Sequence, residues 1–420
     1  MAALMKSASP GAEHKWEFKA RFRSRAFGWR GSSAAIGRLK EAVSEIRKVA
    51  KTDLVVAADG AVALMQRFWP AFQDIDTSSG RLGSAINNAV ETLIPILTMA
   101  SAVPKVRGKW LERLFQAVQD DGVSYLWLVE KRWGEIAVYP EFLNEYADRL
   151  SPLLRLAWSD VRPGGYVAGT DICLSSLLEV GRYQDLFELL ALQTPKIWGY
   201  QHFGAEALAR QGHIDAAFSF AEACRTRHDA VHEDSRINAF CERILIEAGR
   251  SDEAYQRYGL QTPMRSTYVA TYRALVVKYP DRDRRGILQD LIAAHGQQGK
   301  WFAAAKDAGF LDIASDCARA YDAEPATVAR AARDFVLADP KFALELGLIA
   351  INGMLVGQGY DPTADDLTMA FDHLMVAASA LGCIEWATEQ IAKMAGRPAM
   401  IGRETLLAEL RRRMLRIEKK

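Results

Sequence analysis

Apolar residues recur along this chain at intervals of three and four, and alternating β-branched runs are nearly absent. That periodicity predicts amphipathic helices rather than strands. In the stretch RGSSAAIGRLKEAVSEIRKVAK, Ser32 or Ser33 is placed to cap a helix whose apolar stripe is Ile36, Leu39, Val43 and Ile46. Leu82, Ile86, Val90, Leu93 and Leu97 form a second stripe, with Pro95 as an expected kink. Trp110, Leu114 and Val118 form a third. From Thr170 onward the pattern predicts helix pairs over 170–192, 200–228, 234–258, 266–295, 299–321, 325–357 and 363–395, then a last helix over about 402–419. Thr194-Pro195, Thr262-Pro263, Tyr279-Pro280 and Asp339-Pro340 punctuate them.

The stretch from Gly204 to Leu260 shows how the pairs turn. Gly212-His213-Ile214-Asp215-Ala216-Ala217 and Gly249-Arg250-Ser251-Asp252-Glu253-Ala254 share one pattern: glycine, an acid three residues on, then alanine. Glycine after a helix accepts the left-handed conformation that a Cβ resists. The acid falls in the first turn of the next helix, where the macrodipole favours negative charge. Alanine lets the two helices approach closely. The pattern returns at Gly382-Cys383-Ile384-Glu385-Trp386-Ala387, with looser copies at Gly181 and Gly299. Successive corners are spaced by 31, 37, 50 and 83 residues. The first two lie near the tetratricopeptide length of about 34, and the later ones imply a degenerate or interrupted array. The expected fold is therefore all-α, a helical N-terminal domain followed by a degenerate tetratricopeptide-like α-solenoid. The expected organisation is a basic-aromatic arm over 1–31, partly disordered, a helical domain over 32–160, helical repeats over 170–400 and a basic C-terminal helix over 401–420. Ser159–Asp171, with Pro163 and several glycines, is the clearest junction.

Half of the 420 residues are hydrophobic, enough for a large core, and the net charge of +1 is unevenly placed. Residues 1–51 carry +8, residues 403–420 carry +4, and the remainder carries −11. Basic ends of this kind are a reason to look for a polyanion. Five scattered cysteines (173, 224, 241, 317, 383) without CxxC pairing suggest reduced thiols and a cytoplasmic home. The N-terminus lacks the apolar region of a signal peptide. The longest apolar run, Leu346 to Gly357, is too short for a bilayer and contains Asn352.

The arm mixes Lys15, Lys19, Arg21, Arg23, Arg25 and Arg30 with Trp16, Phe18, Phe22, Phe27 and Trp29. Interleaved cations and rings suit single-stranded nucleic acid, with Arg21, Arg23, Arg25, Trp29 and Arg30 as the candidate contacts. The plainer reading, which we prefer, has the rings anchoring the arm to the first helices and the arginines facing water. Seven of the ten tryptophans precede residue 160, which implies a bulky helical core more readily than a ligand groove.

No catalytic residue, cofactor site or firm metal site is read from the chain. It has no GxSxG, no HExxH and no glycine-rich strand-turn-helix. GQQGKW (Gly296–Trp301) lacks the spacer, the hydroxyl residue and the strand of a phosphate-binding loop. Cys224, His228 and His232, spaced i, i+4, i+8, form a weak metal candidate, with Glu233 or Asp234 to complete it. Adjacent acids such as Asp120-Asp121 and Asp365-Asp366 point different ways on a helix and read as helix-end groups.

The stretches FRSRAFGWRGS, RLKEAVSEIRKVAK, DGVSYL, RWGEIAVYPE, FGAEALARQG, EAYQRYGL, GKWFAAAKDAGF and ARAARDF resemble a family of uncharacterised bacterial proteins whose C-terminal part is tetratricopeptide-like. The resemblance spans roughly residues 21–340. It implies a helical-repeat fold in a bacterial cytosolic setting and transfers no site residue. The functional expectation is a non-enzymatic scaffold that binds a protein or peptide partner on a concave surface. The alternatives are nucleic-acid binding through the basic ends and an enzyme with an unrecognised site. No membrane association is expected.

Overall fold

Each helical hairpin in this chain turns at a corner whose chemistry is local. In the computed structural model, which describes residues 14–159, 167–225, 231–261, 264–359, 362–398 and 400–417, the described residues form helices and turns with no strand. The chain divides into two compact units, 1–237 and 238–420, and the division falls inside the helix Val231–Glu247. The all-α expectation holds, and the fold is of the helical-repeat, α-solenoid type.

Seven hairpins follow one another from residue 170. Five turn on a glycine with positive φ: Gly181, Gly212, Gly249, Gly309 and Gly382, all between 66° and 81°. A corner at Gly299 was expected and is not there. Gly299 lies in the short 3-10 turn Gln298–Trp301, pressed against the backbone of Ala323. The reversal comes ten residues later at Gly309-Phe310-Leu311-Asp312-Ile313-Ala314, which repeats the glycine-acid-alanine pattern in full.

The other two hairpins turn without glycine. Asp283 accepts from the amides of Arg285 (3.2 Å) and Gly286 (2.8 Å) and starts the helix Arg284–His295. Asp339 accepts from the Phe342 amide (3.0 Å) and starts Pro340–Leu355 with proline in its first turn. A carboxylate at this position replaces missing intrahelical partners, and proline there lacks only an amide that would go unpaired. With these two corners counted, the positions 181, 212, 249, 283, 309, 339 and 382 are 31, 37, 34, 26, 30 and 43 apart. The array is continuous through both supposed gaps.

In unit 1 the helix Leu54–Met65 is the axis of the core, with eight of its twelve residues buried. Asp53 caps it through the amides of Val55 and Val56, both at 2.9 Å. The stripe Leu82, Ile86, Val90, Leu93 and Leu97 is fully buried in Arg81–Met99, one helix that runs through Pro95. Arg107 is buried beside that helix's C-terminal end. It donates to the carbonyls of Leu97 (2.7 Å), Ala100 (2.5 Å) and Ile136 (3.0 Å). A cation there answers the negative pole of the helix and gives each of these carbonyls a donor, Ala100 sharing its own with the Ala102 amide (2.8 Å). Trp133, Phe115 and Tyr146 pack at centroid separations of 4.8 to 6.4 Å. The predicted bulky aromatic core is thus present. Ion pairs tie neighbouring helices: Arg182 to Asp148 (2.6 Å), Arg155 to Glu188 (3.0 Å) and Arg210 to Glu179 (2.8 Å).

Unit 2 uses the same device. Arg273 reaches Asp307 at 2.6 Å, Arg285 pairs with Asp312, and Arg319 pairs with Glu345. In the charged run Arg282–Arg285 three side chains are tied into the fold, Arg285 by its pair with Asp312. Arg282 lies 3.8 Å over the Tyr255 ring and 2.7 Å from Asp252, and Asp283 is a helix cap. Buried Glu242 accepts from Tyr279 Oη (2.6 Å) and Lys278 Nζ (2.8 Å), a charged group whose burial is compensated by two donors. The disorder expected at the N-terminus and the junction expected around Pro163 lie outside the described residues.

Candidate functional site

The N-terminal arm enters as one short helical turn, Phe18–Arg21, and its rings turn inward. Trp16, Phe18 and Phe22 are buried. Phe22 and Phe27 flank Phe72 at 5.7 and 5.6 Å. The Glu17 and Phe18 amides donate to Glu45, at 2.9 and 3.3 Å. Of the five proposed nucleic-acid contacts, Arg21 pairs with Glu41 (2.6 Å) and Arg23 Nε donates to the Ala20 carbonyl (2.9 Å). Arg25 lies 3.7 Å from Asp74. Trp29, 68% exposed, and Arg30 face solvent. The structure therefore keeps these residues on one segment but leaves one of the arm's five rings open for stacking.

Beside the arm lies an open groove of about 680 Å³ between the helices Ser32–Ala50 and Arg81–Met99. Its floor is Ile36, Val43, Ala85 and Ala89, and its rim carries Lys40, Arg47 and Arg81. The lining residues contain no carboxylate. Ser84 and Thr92 donate to their own helix, at Gly80 O (3.1 Å) and Asn88 O (2.7 Å). The apolar stripe read from the sequence joins Ile36 and Val43 to Leu39 and Ile46. Leu39 and Ile46 are fully buried, whereas Ile36 and Val43 are only partly buried against the core. The signal was available: Lys40, Ser44 and Arg47 share the face that Ile36 and Val43 occupy.

A second cluster in unit 1 gathers titratable groups. Burial pushes the Glu130 carboxyl up to about 8, with the charge of Asp171 adding to the effect. Burial raises Asp171 to about 6, against the favourable field of Lys131. His202 is pushed down to about 3 by burial, helped by the charges of Lys131 and Arg236. Among the described residues Asp171 Oδ1 and His202 Nδ1 have no hydrogen-bond partner. At neutral pH the cluster thus holds Glu130 protonated and His202 neutral. Shifted groups of this kind occur both at working sites and in structural networks. Nothing in the sequence marks it, because Glu130, Asp171 and His202 lie on three separate helices.

Of the weak metal candidate Cys224, His228 and His232, only Cys224 lies among the described residues with its side chain. Cys224 is buried, with its Sγ 3.3 Å from the Phe220 carbonyl. His228 and the side chain of His232 lie outside the described residues. Among the described residues no group of three or more metal-ligating side chains forms, and no helix is long and apolar enough to cross a membrane.

No family model matches the chain, and no curated protein matches it. Among solved structures it is similar to one described as "Circular tandem repeat protein with novel repeat topology and enhanced subunit contact surfaces". The identity is 13%, the match covers 91% of this chain and 88% of that one, and the TM-score is 0.17.

Proposed function

We propose that this protein is a non-enzymatic helical-repeat scaffold that binds a protein or peptide partner on the surface of its stacked hairpins. The observation that carries the reading is the succession of helical hairpins within each unit, with short glycine or aspartate corners. Stacked hairpins place many side chains on one extended face, and such faces suit peptide and protein ligands. The open, apolar-floored groove in unit 1 supports the same reading. The tetratricopeptide-like character and the bacterial, cytoplasmic setting belong to this proposal. Free thiols at all five cysteines support a reducing compartment.

Nucleic-acid binding is the second reading, favoured by exposed Trp29 beside Arg30. Affinity capture with the full chain, with and without nuclease, separates the two. The scaffold reading expects co-purified protein that persists after nuclease. Recovery of nucleic acid alone, or loss of every co-purified protein on digestion, would refute it.

A further inference from the structure

The helix Ser32–Ala50 sorts its charges by face. Glu41 is held by Arg21 (2.6 Å) and Arg38 (2.8 Å), and Glu45 receives the arm's amides. Lys40 and Arg47 instead rim the groove, and neither they nor Arg81 across it are ion-paired among the described residues. The arm and Arg38 therefore engage the acids on one side of the helix, and on the other side the cations have no ion pair among the described residues. The far wall adds to this. Arg81–Met99 begins at Gly80 with no side-chain cap, so its first amides and the positive end of its dipole stand at the groove's edge.

The shape is equally specific. Lining positions run from 36 to 47 on one wall and from 81 to 92 on the other. Eleven steps at about 1.5 Å each make a trough roughly 16 Å long, three helical turns. Ala85 and Ala89 keep the far wall low, which lets a third helix approach to the 8–10 Å typical of packed axes. Lys40 and Arg47, seven residues apart, match acids two turns apart on a ligand helix.

We propose that this groove docks an acidic amphipathic helix of about three turns. Its apolar edge lies on Ile36, Val43, Ala85 and Ala89, and its carboxylates meet Lys40, Arg47 and Arg81. The inference rests on the scaffold reading and names its partner's chemistry. A nucleic acid has phosphates for the rim but no apolar edge for the floor. A membrane surface is too broad to reach that floor.

The test uses the full chain and a fluorescein-labelled helical peptide of about fifteen residues, with leucines at i, i+3, i+4 and i+7 and glutamates beside them. A control peptide keeps the leucines and replaces each glutamate by lysine. Fluorescence anisotropy is expected to show the glutamate peptide binding about tenfold more tightly, the effect of two or three rim ion pairs. That preference should fall as salt rises. The double variant Lys40→Glu, Arg47→Glu, which changes exposed residues only, is expected to invert it. Val43→Asp should abolish binding of both peptides, while Val277→Asp, outside the groove, should leave it unchanged. Equal binding of the two peptides, binding of neither, or an unaltered preference in the double variant would overturn the proposal. So would displacement of the glutamate peptide by phosphatidylglycerol vesicles or by single-stranded RNA. If nuclease-resistant protein capture is the same for wild type and double variant, the groove falls and the scaffold reading stands. If wild type captures no protein, the scaffold reading itself falls.

Discussion

Gly60 is the point at which the N-terminal arm is pinned. It lies within the helix Leu54–Met65, and the Trp16 indole rests directly on it. A Cβ at position 60 would stand 2.2 Å from Trp16 Cζ2, so Gly60→Ala must expel or re-seat the ring. Two effects compete. The helix gains about 1 kcal/mol from alanine in place of glycine. Trp16 is 4% exposed, and an indole that buries roughly 200 Å² at about 25 cal/mol per Å² contributes at most about 5 kcal/mol. Partial re-seating keeps some of that contact. Gly60→Ala is therefore expected to destabilise unit 1 by about 1–3 kcal/mol. Urea unfolding followed by circular dichroism gives the magnitude, and trypsin cleavage at Lys15, Lys19 and Arg21 reports release of the arm. The decisive feature is a change of sign. In a Trp16→Ala background the obstruction is gone, and Gly60→Ala should then stabilise by about 1 kcal/mol. A Gly60→Ala protein as stable as wild type, with its arm still protected, would refute the brace.

Arg107→Met leaves the carbonyls of Leu97, Ala100 and Ile136 without their shared donor, and should cost about 3–5 kcal/mol in the same urea assay. Glu130 keeps its proton in the fold up to about 8, whereas the unfolded chain releases it near 4.5. Native stability therefore falls as pH rises between those values and stays reduced above them. Glu130→Gln should match wild type below that window and exceed it by about 2–4 kcal/mol above it. Urea melts across pH check this, and a pH-independent difference would contradict it. Gly249→Ala, at φ 76°, should cost about 1–2 kcal/mol, while Gly37→Ala, in open space on an ordinary helix, should gain about 0.5–1.

The helices were legible because their apolar spacing is set by packing inside each hairpin. The pairs over 170–192 and 363–395 appear as helices Thr170–Glu179 with Tyr183–Leu192, and Ala364–Ala380 with Ile384–Ala395. The regularity of the array was harder to see. Asp283 and Asp339 turn the chain by capping, so a search for glycine corners passes over them. Gly309 carries the same pattern as the other glycine corners, whereas the role of Gly299 is close contact with Ala323 rather than reversal. The groove was hidden for a different reason. Periodicity assigns Ile36 and Val43 to an apolar face but does not say whether the chain supplies enough neighbours to cover it. The titratable cluster joins Glu130, Asp171 and His202 through tertiary packing alone.

The working surface is tested most directly by a photo-reactive phenylalanine analogue at Val43, irradiated in living cells before lysis and nuclease treatment. The account predicts a discrete protein adduct that survives nuclease, with the cross-linked segment an acidic amphipathic helix. Adducts that vanish with nuclease, or labelling no different from that at exposed Val277, would contradict it.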